Sequence, residues 1–281
     1  MPELPEVETV ARGVDKRVRG DRIVQVWFAH HPQPFKTPPT RQAKGLTGRL
    51  ILSVHRTGKH IVFELGEADE KKKQGVSPAS AQWIVHLGMT GRLLVTEPES
   101  PLAPHTHARL QLASGRELRF VDPRRFGRLE FRDLARAEAF QAAGAEPLTI
   151  TAPEFTALFH SRRLPIKAAL LNQELLSGVG NIYADESLFA AGIRPRRRAY
   201  RLTSVELERL WESLRQVLKA AIRLGGSSVS DYVGADGEKG FFQLEHCVYQ
   251  RTGQPCRRCQ TPIERVLVAG RGTHFCPQCQ R

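Results

Sequence analysis

The chain has 281 residues, of which 41% are hydrophobic, so two or three domains with substantial cores are expected. No apolar run approaches the ~20 residues of a membrane span and no signal-peptide pattern is visible, which argues against membrane and secreted classes and favours a cytoplasmic protein. The net charge of +13 is shared: residues 1–135 carry 22 basic and 15 acidic side chains (+7), and residues 136–281 carry 20 and 14 (+6). Two basic halves indicate nucleic-acid binding, although a ribosome-associated or membrane-surface protein would fit the charge alone.

The first eight residues, Met-Pro-Glu-Leu-Pro-Glu-Val-Glu, have two compatible interpretations. Pro2 is small enough for Met1 to be removed, which would leave a secondary amine with an unperturbed pKa of roughly 8. Such an amine is a nucleophile toward a sugar carbon and forms a cationic iminium, with Glu3 beside it as a proton carrier. The simpler interpretation is a helix start, with Pro5 in the first turn and acidic side chains at the positive end of the helix dipole.

The first half then reads as one helix followed by many strands. Apolar residues at helical spacing over 7–18 predict an amphipathic helix that ends near Gly20. Short β-rich segments follow, and their number predicts a β-sandwich or barrel. They span residues 23–28, 50–55, 61–65, 83–87, 92–96, 108–112, 117–121 and 126–131. The charged segment 67–81 is predicted to be a flexible inserted loop, and its lysine triplet is more simply a solvated loop tip than a DNA contact.

The second half is predicted to be helical up to a glycine-rich loop. Helices are expected over residues 134–141, 152–161 and 166–176, in a short segment after Asn181, and over 207–221. A Gly/Ser-rich loop follows over residues 225–240, where glycines allow backbone amides to approach a ligand closely.

The last 26 residues hold four of the five cysteines, in two Cys-x2-Cys pairs. Two such pairs complete a tetrahedral four-sulfur zinc site, and a closed site of this kind is structural rather than catalytic. The predicted ligands are Cys256, Cys259, Cys276 and Cys279. The intervening residues fit a hairpin whose tip presents Arg271, and residues 244–281 carry six arginines and two glutamates (+4). A protein-binding ribbon is the alternative, and Cys247 is expected to be a buried thiol.

Five segments in this order resemble the formamidopyrimidine-DNA glycosylase family of base-excision repair enzymes. They are residues 2–8, His86–Gly91, Asp122–Gly127, Gly178–Tyr183 and the four cysteines. The resemblance covers essentially the whole chain. It implies an α+β multidomain fold: an N-terminal β-sandwich with an N-terminal helix (1–133), a helix–two-turn–helix domain (134–224), a lesion-recognition loop (225–243) and a zinc-finger β-hairpin (244–281). DNA would be bound in the cleft between domains.

The resemblance also implies roles for individual residues. Pro2, Glu3, Lys59 and Arg271 would be catalytic, and Met89, Arg124 and Phe126 would fill the space left by a flipped base. Phosphate contacts would come from His105, Arg163, Lys167 and Asn181, and Ser228 and Tyr232 are candidate lesion contacts. On the sequence alone, Phe126 fits the core of a strand better than a wedge, and Lys59 fits a solvated turn as well as a catalytic position.

The resemblance favours oxidised purines, namely 8-oxoguanine opposite cytosine and formamidopyrimidines, because the opening Leu-Pro and the Arg-Arg-Phe segment look like that branch rather than the endonuclease VIII branch. An oxidised-pyrimidine glycosylase of the same fold is one alternative, and a non-enzymatic zinc-ribbon DNA-binding protein is another. We expect a monomer that binds damaged duplex DNA, with one structural zinc and no catalytic cofactor.

Overall fold

A computed structural model describes residues 1–30, 35–67, 78–228 and 234–281 of the chain. The chain forms two compact units: residues 1–141 with 225–240, and residues 142–224 with 241–281. Most of the predicted loop at 67–81, and Tyr232, lie outside the described residues.

The first unit is a β-sandwich with a helix at its N-terminus, as predicted. Helix α1 (Leu4–Val18) comes first, and a short helix α2 (Pro39–Leu46) follows the first strand. The strands in chain order are β1 (Ile23–Phe28), β2 (Leu50–Thr57), β3 (His60–Gly66), β4 (Ala81–His86), β5 (Arg92–Thr96), β6 (Thr106–Leu112), β7 (Glu117–Val121) and β8 (Arg128–Asp133). They form two antiparallel four-stranded sheets, in the orders β1-β6-β7-β5 and β2-β3-β4-β8.

Helix α1 belongs to the core of this unit because its apolar residues recur on one face. Val7, Val10 and Val14 are at most 1% exposed and pack in one cluster with side chains from both sheets, including Trp83 and Phe120. This packing fixes the N-terminus of the helix against the sandwich. Burial of this kind stabilises a short helix far more than its intrinsic propensity does.

The structure corrects several predicted element bounds. Residues 134–141 form turns and coil rather than a helix. Their backbone is committed to distant partners: the Leu134 amide donates to the Ser80 carbonyl, and the Phe140 amide donates to Gln82 Oε1. Such contacts override a weak local preference. Helix α2 was not predicted, and strand β8 begins at Arg128, which leaves Phe126 in the preceding loop.

The second unit contains four α-helices and a two-stranded hairpin among its described residues. They are α3 (Ala152–His160), α4 (Ile166–Leu171), α5 (Asn181–Ala190), α6 (Ser204–Arg223), β9 (Glu264–Val268) and β10 (Arg271–Phe275). Short 3-10 turns occupy Ala199–Arg201 and Phe242–Glu245. Helix α4 is shorter than the predicted segment 166–176. Within the described ranges, every helix is too short or too polar to cross a bilayer.

Candidate active site

The N-terminus is held at the start of α1. Pro2 is buried and Glu3, the N-cap residue, is 4% exposed, whereas Met1 is 51% exposed. Glu6 Oε2 accepts a hydrogen bond of 2.8 Å from the Glu3 amide. The first turn therefore places the nitrogen of Pro2, once Met1 is removed, at a fixed point on the sandwich.

Glu6 also connects this terminus to the Gly/Ser-rich segment that returns to the first unit. Its second oxygen, Oε1, accepts a 2.7 Å hydrogen bond from the Ser227 amide. Gly226 has φ +81°, and a Cβ there would lie 2.9 Å from Glu6 Oε1, so glycine is required for the approach. One buried carboxylate thus bridges the N-terminus and residues 225–228. In the sequence Glu6 is only an acidic side chain in the first turn of a helix, because a partner 221 positions away leaves no local signal.

Lys59 lies in the tight turn between β2 and β3 and is 9% exposed. The turn is fixed by Arg56, whose Nη1 donates to the Gly58 carbonyl at 3.1 Å. Arg56 Nε in turn donates to Glu8 Oε2 at 2.8 Å. Because Glu8 belongs to α1, the helix that carries Pro2 also positions the turn that carries Lys59. Sequence reasoning missed both Arg56 and Glu8, since each fits an ordinary solvated charge.

Two histidines with their rings in contact lie next to Lys59. The rings of His60 and His86, which are paired across β3 and β4, have centroids 4.8 Å apart. Burial, and then the neighbouring His86 and Lys36, lower the pKa of His60 to about 3. Burial, and then the positive charge of Lys59, lower the pKa of His86 to about 4. Both imidazoles are therefore neutral at physiological pH.

These two histidines predict an acid-sensitive first unit. Each has an ordinary pKa near 6.5 when unfolded, so the unfolded chain binds more protons once the pH falls below that value. Above pH 6.5 both states keep these histidines neutral, and the free energy of unfolding has its full value. Between pH 6.5 and about pH 4 it is expected to fall by about 1 kcal/mol per pH unit for each histidine. Urea unfolding across this range should show a shallower pH slope in His60→Phe. Equal slopes in the wild type and in His60→Phe would contradict the assignment.

The three predicted base-flipping residues are exposed on the surface of the first unit. Met89 is 39% exposed and Phe126 is 47% exposed, so neither is a core residue. The guanidinium carbon of Arg124 lies 4.9 Å from the centroid of the Phe126 ring. His105 is also exposed and has a left-handed backbone conformation with φ +63°. Its carbonyl accepts a hydrogen bond from the amide of Asp122, two residues before Arg124. We call these three side chains, Met89, Arg124 and Phe126, the wedge residues; two are apolar and one is cationic.

Lys167 is not available for the phosphate contact that the resemblance implied. Its side chain is fully buried in the second unit. The ammonium Nζ lies 2.7 Å from Asp185 Oδ1, and donates to Thr273 Oγ1 at 2.8 Å and to the Gly272 carbonyl at 3.0 Å. We therefore assign Lys167 to the junction between α4, α5 and the finger hairpin, and do not carry it forward as a DNA contact.

The other predicted residues of the second unit surround this junction. Asn181, the first residue of α5, donates from Nδ2 to the same Gly272 carbonyl at 3.0 Å. Arg271 is exposed and begins β10, immediately before that doubly held carbonyl. Arg163 is exposed just before α4. The junction therefore fixes β10 directly after the hairpin tip, and Arg271 is exposed beside it.

The four predicted zinc ligands come together in the second unit. Their sulfur atoms all lie within 4.8 Å of one another, and Cys259 Sγ is 3.4 Å from both Cys276 Sγ and Cys279 Sγ. Zinc–sulfur bonds of about 2.3 Å in a tetrahedron require sulfur–sulfur separations of about 3.8 Å, so the cluster fits the ion. Cys247 is half-buried and is not part of the cluster.

Comparison with known proteins agrees with this architecture. Three family models match the chain: the formamidopyrimidine-DNA glycosylase N-terminal domain over residues 1–129, the H2TH domain of the same enzymes over 143–233, and a zinc finger found in FPG and IleRS over 253–281. The chain belongs to the formamidopyrimidine-DNA glycosylase family. It is accordingly an enzyme of the glycosylase class, and the four cysteines of the cluster form the structural zinc site of the family's finger.

Individual members of the family match over almost their whole length. The formamidopyrimidine-DNA glycosylases of Solibacter usitatus and Moorella thermoacetica are 43% and 45% identical, covering 100% and 95% of this chain and 100% and 94% of theirs. Among solved structures, MutM in complex with DNA containing carbocyclic 8-oxo-G is 34% identical with a TM-score of 0.87, and covers 100% of both chains. The Lactococcus lactis enzyme bound to DNA containing an abasic site is 34% identical with a TM-score of 0.86, and covers 99% of both chains.

Proposed function

We propose that this family member excises oxidised purines, notably 8-oxoguanine and formamidopyrimidines, from duplex DNA and cleaves the resulting abasic site by β,δ-elimination through Pro2. The observation that supports it most is the N-terminus itself. The Glu3 amide, next to a buried proline, is joined through Glu6 to the 225–228 segment, and the same unit carries the exposed wedge residues Met89, Arg124 and Phe126.

The chemistry begins with a nitrogen that exists as a nucleophile only after Met1 is removed. The lone pair of Pro2 nitrogen forms a bond to C1′ of the damaged nucleoside while the glycosidic bond breaks, and the base leaves with a proton. Glu3 protonates O4′ as the sugar ring opens, and this gives a cationic iminium between Pro2 and C1′. The iminium draws electrons from C2′ and so acidifies its hydrogens.

Two eliminations complete the cleavage. Loss of a C2′ proton places a double bond between C2′ and C3′ and expels the 3′ phosphate. A second proton loss, from C4′, expels the 5′ phosphate, and hydrolysis of the iminium returns Pro2. In this proposal Lys59 assists proton transfer near the damaged nucleotide, and Arg271 holds the adjacent phosphates and favours the second elimination.

Extraction of the base requires something to fill the gap in the stack, because unstacking costs a few kcal/mol. Phe126 and Met89 are apolar wedges for this purpose. Arg124 carries paired donors, which suit the base left without its partner. His105, Arg163 and Asn181 are proposed phosphate contacts, and each charged contact adds to the salt dependence of binding.

The lesion-reading segment remains proposed as residues 225–243. The Ser228 hydroxyl accepts a 2.9 Å hydrogen bond from the Gly240 amide, so it closes the base of the loop. Glycines on both sides of the loop allow close backbone approach, as at Gly226.

Borohydride trapping tests the proposal, because it reduces the iminium to a stable amine. The wild-type protein is mixed with an 8-oxoguanine:C duplex and borohydride, and its intact mass is measured. We expect a covalent adduct on a chain that lacks Met1, and faster cleavage of 8-oxoguanine:C than of thymine glycol:A. Absence of an adduct would refute the Pro2 iminium, and faster cleavage of thymine glycol would assign the oxidised-pyrimidine branch.

A further inference from the structure

The three wedge residues stand on two different turns of the first unit. Met89 lies in the turn that follows β4, and Arg124 and Phe126 lie in the loop between β7 and β8. Side chains that enter a DNA stack together need a fixed spacing, because a misplaced group loses most of its effect. Neither turn alone can set the spacing between them.

The two turns touch through glycine. Gly88 has φ +64°, and a Cβ there would lie 2.6 Å from both the Phe126 carbonyl carbon and the Gly127 nitrogen. His86 Nδ1 accepts a 3.1 Å hydrogen bond from the Gly88 amide, which fixes the start of the Met89 turn. The backbone of one turn therefore rests directly on the backbone of the other.

A single fully buried carboxylate then links them by hydrogen bonds. Asp122 Oδ1 accepts from Thr90 Oγ1 at 2.6 Å, and Asp122 Oδ2 accepts from the Gly127 amide at 2.7 Å. Thr90 Oγ1 in turn accepts from the Arg124 amide at 3.2 Å. The Thr90–Asp122 pair thus holds Arg124 directly. Met89 directly precedes Thr90, and Phe126 directly precedes Gly127, which Asp122 holds.

The backbone of Asp122 extends the arrangement to the proposed phosphate contact. Its amide donates to the His105 carbonyl at 3.0 Å, and its carbonyl accepts from His107 Nε2 at 2.9 Å. The mechanism above assigns no role to Asp122 or Thr90. A buried carboxylate whose two oxygens serve two different turns is costly to bury unless both bonds are made.

We propose that Thr90 and Asp122 are positioning residues that hold Met89, Arg124 and Phe126 as one rigid wedge. This inference rests on the proposed function of that wedge. The Thr90–Asp122 pair acts on base extrusion and not on the covalent chemistry at Pro2. An abasic site has no base to extract, so its cleavage should not depend on the pair.

The test uses Thr90→Val, which keeps the side-chain shape and removes both the donor and the acceptor. Single-turnover excision of 8-oxoguanine is expected to fall by about 10- to 100-fold, the size of effect that follows from misplacing a group by about 1 Å. Cleavage of a preformed abasic site should stay close to the wild-type rate. The fluorescence change of a 2-aminopurine placed beside the lesion, which reports unstacking, should be reduced.

Two variants control for folding and for chemistry. Thr90→Ser keeps the hydroxyl and should restore excision. Thr96→Val is the matched control, because the buried Thr96 hydroxyl makes no hydrogen bond within the described part of the chain, and it should leave both substrates unaffected. If Thr90→Ser is as defective as Thr90→Val, or if Thr90→Val slows both substrates equally, the positioning role is refuted.

Parallel measurements on Met89→Ala and Phe126→Ala separate this inference from the function on which it rests. If these variants slow excision selectively and Thr90→Val does not, the positioning inference fails and the wedge stands. If Met89→Ala and Phe126→Ala change 8-oxoguanine excision and abasic-site cleavage by the same factor, the wedge assignment itself fails.

Discussion

Replacing Lys167 by methionine is expected to lower the free energy of unfolding of the second unit by about 3–5 kcal/mol, the cost of breaking a buried ion pair on one side. Methionine fills a similar volume but leaves Asp185 buried without its 2.7 Å partner. It also removes one of the two side-chain donors to the Gly272 carbonyl, which lies in β10 near the tip of the finger hairpin. The effect should therefore concentrate where α5 meets the finger.

Urea unfolding followed by circular dichroism measures the total loss, and hydrogen exchange of the 272–275 amides locates it. Lys219→Met is the control, since Lys219 is exposed on α6 and should change stability little. The double variant Lys167→Met with Asp185→Asn should recover part of the loss, because the unpaired charge is gone while His274 keeps an acceptor. A Lys167→Met protein as stable as the wild type would show that the pair is not structural.

Lys167 illustrates which features a sequence can predict. The β-sandwich, α1 and the zinc ligands follow from local patterns: alternation in the strands, helical spacing of valines, and paired cysteines at short spacing. A lysine two residues after a proline reads locally as a surface charge. Only the fold shows that it faces Asp185, on a different helix, and the hairpin more than 100 residues away.

The same limit explains the missed parts of the candidate site. The bonds from Glu8 to Arg56 and from Glu6 to Ser227 join segments 48 and 221 positions apart. In the sequence, Glu6, Glu8 and Arg56 look like ordinary charged residues of a helix or a strand. The wrong helix prediction at residues 134–141 also comes from distant contacts. The local sequence is compatible with a helix, but hydrogen bonds to distant residues, such as that from the Phe140 amide to Gln82, hold the segment in another conformation.

The substitution Pro2→Gln is expected to have the largest effect on activity, because the proposed nucleophile is the nitrogen of residue 2. In Pro2→Gln the larger side chain is expected to block removal of Met1, so the nitrogen of residue 2 becomes an amide without a nucleophilic lone pair. The terminal amine moves to Met1, which is exposed rather than held at the buried start of α1. Excision of 8-oxoguanine should fall by more than about 1,000-fold, which corresponds to about 4 kcal/mol of transition-state stabilisation.

Intact mass establishes whether Met1 is retained, and single-turnover rates with borohydride trapping measure the loss. Affinity for the 8-oxoguanine duplex should be nearly unchanged, because the substitution adds no charge and leaves Lys59, Arg124 and Arg271 in place. Pro2→Gly is the comparison: it permits Met1 removal and leaves a primary amine at the correct position, so it should retain part of the trapping that Pro2→Gln loses. Trapping of Pro2→Gln at the wild-type rate, with Met1 still present, would remove the nitrogen of residue 2 from the mechanism and transfer the nucleophile to another amine, such as that of Met1 or Lys59.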